Sequence, residues 1–390
     1  MTRLPSRSPM DADSRMVWLD GLRLTAGLSM VVLHATADPS GGPWGDWPQT
    51  DRIGPIVLRT LVYSARTELF ILISLFLLAL SLDRRPRSYR AVIREQARRL
   101  LVPFLFWTAV FAAFNGVKAQ AFGYTDGWLA DLAAPGAWAR ALLLGEVKYH
   151  MHFLPTLFGL VLLYPLYMLA RSKPALAILV LACLLAKREL DALVWSAFWG
   201  TEALPWVVRG VKLLAYAGYG FVAAAAAALW TDPDARTALR TYLPVIGHAA
   251  VLLLLIKTGG AFLTVTRGAW PWDYTAGYWA DFLMPILLFV AAMALAHKRW
   301  PAVLSRLAPY SFGIYLCHPI FMDLTEIALR DTGWPPIAQV GTRAVSALAL
   351  SSAFVWLLAR SRALGWTIGL GPLPTFTGRQ GARPLGAKET

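Results

Sequence analysis

The sequence predicts an all-α, polytopic integral membrane protein of about ten transmembrane helices with both termini in the cytoplasm. Three observations carry this. Hydrophobic residues make up 57% of the 390-residue chain and charged residues only 15%. The apolar residues recur in runs of about twenty, the length a helix needs to cross a bilayer. Basic residues alternate between the connecting segments, and the Lys/Arg-rich side is cytoplasmic. The net charge of +14 is thereby read as an orientation signal, and no nucleic-acid partner is expected. The chain divides into a cytoplasmic amino-terminal segment (1–16), a transmembrane domain (17–360) and a Gly/Pro-rich cytoplasmic tail (361–390) of the composition that stays disordered.

The first expected span, 17–37, organises the rest. It is apolar except for Asp20 and Arg23 near one end and His34 near the other. Its internal charges and its lack of a small-residue cleavage pattern read as a retained helix, not a signal peptide. Ionisable groups inside a membrane span are costly and are functional by default. Arg23 and His34 are eleven positions apart, three helical turns and about 16 Å along the axis, so they share a face. Asp20 precedes Arg23 by three, close enough to share its charge. The bland alternative is a snorkelling Arg and a His that bonds a neighbouring helix.

A Gly/Pro/Trp-rich interfacial loop follows, then a second span over 55–82 with Arg59, Arg66 and Glu68 in its first half. The loop 83–99 holds seven arginines (84, 85, 87, 90, 94, 98 and 99) and is the strongest cytoplasmic marker. Span 3 (100–118) leads to a long segment, 119–151, whose middle reads as a re-entrant or surface helix. Spans 4 (152–170) and 5 (174–194) are joined by a short basic link, with charges intruding into the second half of span 5. Span 6 (211–230) has the small residues that let membrane helices approach closely. Spans 7 (242–256), 8 (282–296), 9 (310–329) and 10 (337–358) complete the set. The aromatic loop holding Trp270, Trp272, Tyr274, Tyr278 and Trp279 reads as an interfacial belt, with sugar stacking as the second reading. Cys183 and Cys317 sit in apolar runs without ligand spacing, as packing residues, and no metal site is expected.

Four stretches together are similar to the membrane-bound acyltransferase 3 family, bacterial O-acetyl- and O-succinyltransferases of surface or periplasmic glycans. LDGLRLTAGLSMVVLHA has the Arg-x10-His arrangement at Arg23 and His34. RTELFILISLFLLALSL resembles the second-helix pattern through Arg66 and Ser74. YHMHFLPTLFGLVLLYPLY resembles the fourth-helix opening at His150, and SFGIYLCHPI the late-helix signature at Ser311, Tyr315 and His318. Leu75 stands where the family usually has Gly, His152 where it has Trp, and Gln96 where a second Arg is common.

The resemblance implies transfer of an acyl group, acetyl or succinyl, from acyl-CoA in the cytoplasm to a hydroxyl of a glycan or glycolipid, in the bacterial inner membrane. Acyl-CoA is then a co-substrate, and no bound cofactor is expected. His34 is expected as general base, because an imidazole titrates near working pH. Arg23 is expected to bind donor phosphate or polarise the thioester, oriented by Asp20. Arg94, Arg98 and Arg99 are candidates for the coenzyme A phosphates, with the positive-inside rule alone as the alternative. Arg66, Glu68, Ser74, His150, Tyr315 and His318 are supporting candidates. Glu68 could hold the His34 tautomer, and His150 and His318 could line the cavity or be satisfied structural histidines. A secondary transporter would require matched repeats, which the chain lacks. A non-catalytic export partner is the remaining alternative.

Overall fold

The computed structural model describes residues 16–373, and among these every regular element is helical. The order is α1 (Val17–Ala35), α2 (Gln49–Val62), α3 (Thr67–Arg84), α4 (Tyr89–Phe122), α5 (Thr125–Ala133), α6 (Pro135–Leu143), α7 (Phe153–Leu162), α8 (Tyr164–Tyr167), α9 (Leu169–Ser172), α10 (Leu179–Phe198), α11 (Leu204–Thr231), α12 (Pro233–Thr241), α13 (Leu243–Arg267), α14 (Thr275–Ala294), α15 (Val303–Leu307), α16 (Ser311–Leu329) and α17 (Pro336–Arg360).

Seven helices or continuous helix pairs are long and apolar enough to cross a membrane, eight if α7 and the α8–α9 stretch, bent by 61°, form one broken span. The expected count of about ten included α1 and α10, which do not meet that criterion. The reason is their polar content: α1 carries Asp20, Arg23 and His34, and α10 carries Lys187, Arg188, Glu189 and Asp191. Charges that serve the interior of a bundle lower the hydropathy by which a span is recognised.

Boundaries also move. The second expected span is two helices, α2 and α3, broken at 63–66. The arginine run is not a loop, because Ser88 starts a helix, its hydroxyl accepting from the Ala91 N–H at 3.4 Å. α4 therefore carries the last four arginines and runs on to Gly123, whose left-handed φ of 77° ends it. The loop after α1 is anchored to the helices around it. Arg52 donates from Nη2 to the Gly45 carbonyl (2.6 Å) and from Nη1 to that of Val265 (3.2 Å), and buried Trp44 donates to Thr36 O at 2.9 Å. Beyond α17 the chain packs again: Gly365–Ile368 form a 3-10 turn with Thr367 and Ile368 buried, and Trp107 donates to Thr367 O at 2.8 Å. The rest of the tail expected to be disordered, 374–390, lies outside the described residues, as do residues 1–15.

α1 sits at the centre. It runs antiparallel to α3, since Trp18 packs on Phe76 (ring centroids 6.0 Å) while Thr67 near the other end reaches Met30. It runs beside α16 in the same direction, with Gly27 against Ser311 and His34 against His318. A Cβ on Gly27 would lie 3.5 Å from the Ser311 Cβ, so this close crossing is the kind that small residues permit. Trp18, Phe76 and Phe289 interlock edge to face, and each such pair adds roughly 0.5–1.5 kcal/mol beyond burial.

Candidate active site

Three histidines from three distant stretches meet. His34 comes from the last turn of α1, His150 from the turn before α7, and His318 from the middle of α16. The His34 and His318 rings stack at 5.4 Å between centroids, His150 meets His318 edge-on at 5.2 Å, and Tyr149 lies 4.4 Å from His34. His150 and His318 are buried.

Local sequence fixes the rings. Pro319 has no N–H, so the Tyr315 carbonyl four residues earlier loses its helical donor. The His318 Nδ1 takes its place at 2.7 Å. Because a carbonyl only accepts, Nδ1 carries the proton and Nε2 presents its lone pair. His150 is fixed the opposite way: its Nε2 donates to Leu316 O at 3.2 Å, leaving Nδ1 as acceptor, while Tyr315 donates its hydroxyl to His150 O at 2.5 Å. The buried nitrogens left without a hydrogen-bond partner are His34 Nε2, His150 Nδ1 and His318 Nε2. Three buried ring nitrogens without partners, on rings packed against one another, suit a ligand that brings hydroxyl donors. Among the described residues no group of three or more His, Cys, Asp or Glu side chains has the arrangement to hold a metal ion.

The supporting candidates divide. Glu68 does not hold His34: its carboxylate lies 2.7 Å from Arg66 Nε, both side chains buried, and the Arg66 guanidinium stacks on Tyr63 (4.3 Å) and Phe282 (4.4 Å). Ser74 lies half-buried further along α3. Leu75, at the position expected to be Gly, is 4% exposed and lines a small apolar groove with Tyr164, Tyr167 and Gly220. Its side chain fills space between α3 and α11. His152 caps α7, its Nδ1 buried and unbonded.

Asp20 and Arg23 stand at the other end of α1, 3.9 Å apart, with Asp20 accepting from the Ser305 hydroxyl at 2.7 Å. The shared helix face is as expected, but Arg23 and His34 remain three turns apart, about 16 Å. Arg94, Arg98 and Arg99 are exposed on the first turns of α4, at the end of the bundle away from His34.

The structure adds a charged network that the sequence reading missed. Lys148 donates to Asp323 at 2.5 Å and to Asn115 at 3.2 Å. Lys118 bonds Glu326 at 2.7 Å, and Arg343 lies 3.6 Å from Glu326 while donating to Ala37 O at 2.8 Å. Asp323 and Glu326 follow His318 on α16, so this network backs the histidines on one side. Two carboxylates three apart inside the apolar run HPIFMDLTEIAL were the available signal.

A family model described as an acyltransferase domain, that of the acyltransferase 3 family, matches residues 16–360. No curated protein and no solved structure matched the chain. The match spans α1 through α17 and takes in His34, His150 and His318, so the chain belongs to the acyltransferase 3 family and is a membrane acyltransferase.

Proposed function

We propose that the protein moves an acyl group, acetyl or succinyl, from acyl-CoA on the cytoplasmic side to a hydroxyl of a glycan or glycolipid, with His34 as general base. The observation that carries this reading is the buried, unbonded Nε2 of His34 beside His318 and His150, whose rings each also keep one buried nitrogen without a partner. In the proposed step the acceptor hydroxyl gives its proton to His34 Nε2 as its oxygen bonds the acyl carbon. The C–S bond breaks, and the proton leaves with the coenzyme A thiolate. A base so placed contributes typically 10²–10⁴-fold.

The 16 Å between Arg23 and His34 gives the guanidinium a part of the donor remote from the thioester carbonyl, an anionic or amide group. Arg94, Arg98 and Arg99 then receive the phosphates. Arg23→Lys is expected not to rescue activity, because a point charge lacks the planar fork. Steady-state rates with varied acyl-CoA check this, and wild-type kcat/KM in the lysine variant would reduce Arg23 to a generic charge.

The reading requires the arginine-rich start of α4 to face the cytoplasm of a bacterial inner membrane, with α1 and α10 as the ninth and tenth spans. Arg85 is exposed between α3 and α4. In a background lacking Cys183 and Cys317, an Arg85→Cys variant is expected to resist an impermeant maleimide in intact cells and to react after permeabilisation. Ready labelling of intact cells would reverse the orientation and the side from which the donor comes.

A further inference from the structure

Around the histidines the fixed charges do not balance. Arg66 has Glu68, Lys187 has Asp191 and Lys257 has Asp281. Arg59, Arg209 and Lys212 have no such partner among the described residues. Arg59 donates from Nη1 to Leu33 O at 3.3 Å and to Thr36 Oγ1 at 3.2 Å, one residue before and two after His34, and its guanidinium sits 4.4 Å from the Trp270 ring. Arg209 donates to Thr156 Oγ1 at 3.2 Å while its Nε is buried and unbonded. Glu146, the carboxylate whose charge reaches Arg209, is held by Arg140 at 3.5 Å.

Lys212, one turn beyond Arg209, makes neither a hydrogen bond nor an ion pair with any described residue, and Glu68, a carboxylate whose charge reaches it, is held by Arg66 at 2.7 Å. His152, with its unbonded Nδ1, lies within electrostatic reach of both Arg209 and Lys212, and its own charge reaches His34. Half-buried cations without counterions in a membrane domain are costly and mark substrate paths.

These cations stand at the His34 end of the bundle. α11 begins beside Arg209 and ends at Thr231, whose hydroxyl accepts from Arg171 at 3.0 Å where Arg171 pairs with Asp83. That far end adjoins the arginine-rich start of α4. The two basic regions are therefore separate, one at each end of α3 and α11.

We propose that the acceptor is an anionic glycan, with a carboxylate or phosphate near the hydroxyl to be acylated, and that Arg209 and Lys212 bind that anion. This rests on the O-acyltransfer reading for its biological sense, but the anion site itself is tested by binding alone. The test is equilibrium dialysis of the full chain, purified in detergent, against tetragalacturonate and its uncharged methyl ester, with glucose 6-phosphate and glucose as the phosphate pair. One acid is expected to bind at least about tenfold more tightly than its neutral counterpart, and which acid does so names the anion. Arg209→Gln and Lys212→Gln are each expected to cost about tenfold, as for lost charge-assisted hydrogen bonds. Lys212→Arg is expected to keep the preference, so misfolding of a glutamine variant would not imitate the result.

Equal binding of acid and neutral forms, or a preference that survives in the Arg209→Gln/Lys212→Gln double variant, overturns the proposal. Competitive displacement of the acid by coenzyme A also overturns it, since the cations would then belong to the donor. Acid-selective binding without His34-dependent acyl transfer supports the anion site and removes the O-acyltransfer reading.

Discussion

His34→Gln is expected to lower turnover by about 10²–10⁴-fold while the affinity for acyl-CoA stays within a few fold, because the lost interaction belongs to the transition state. Glutamine keeps much of the volume and can still hydrogen-bond, but it cannot take a proton at neutral pH. A histidine that only fills the gap between α1 and α16 would tolerate the change, since the ring stacks on His318 and packs tilted against Tyr149 and its Nε2 bonds nothing. The measurement is release of coenzyme A thiol together with labelled acyl in the acceptor. The wild-type rate should also rise with pH and level off, because a protonated imidazole has no lone pair to offer. Near-wild-type transfer by His34→Gln would remove the base from the mechanism.

Asp323→Leu is expected to be the most destabilising single change. Asp323 is 2% exposed and holds Lys148 at 2.5 Å, with Lys118 at 3.5 Å on its other side. Lys118 keeps Glu326 when Asp323 is lost, but Lys148 keeps only the Asn115 amide. Removing one member of a buried pair leaves a charge without compensation, about 3–5 kcal/mol. Thermal unfolding in detergent reads this, and Lys148→Met placed on top should recover most of the loss, because replacing a whole buried pair by apolar groups is close to neutral. A single variant as stable as wild type would mean that water, not Asp323, solvates Lys148.

Much of the fold was legible because it depends on local composition. Each expected span is occupied by helix, the second and fourth by broken helix, and several of the errors fall where charge and structure part company. The arginines of α4 were read as loop because exposed arginines look alike on a loop and on a helix that projects past the apolar run. The break between α2 and α3 went unseen although Ser64, Arg66 and Glu68 stand around it, because long apolar runs flank that polar stretch on both sides and read together as one span. In the site, His34, His150 and His318 were legible through their motifs, and Pro319 beside His318 explains why one ring points as it does. Glu68, offered as one partner that could hold His34, pairs with Arg66 instead, since proximity in span order says nothing of which side chain a carboxylate meets. Lys118 and Lys148 come from segments about two hundred residues before their partners Asp323 and Glu326, a pairing only the fold creates.

The central position of α1 bears on how the protein is made. This helix is synthesised before every other described helix, yet several elements that cover its polar groups follow it by some 270 residues or more: Ser305 for Asp20, His318 for His34, and α17, whose Arg343 grips Ala37 O. Until those are synthesised, α1 is a weakly apolar segment with three ionisable side chains and no finished bundle around them. Its burial is therefore completed only once α16 and α17 have been made, and a chain halted before residue 311 lacks neighbours that make α1 tolerable in lipid. Quality control that senses exposed charge within the membrane would find its signal in α1, which makes the completed amino-terminal helix a report that the carboxy-terminal spans have arrived.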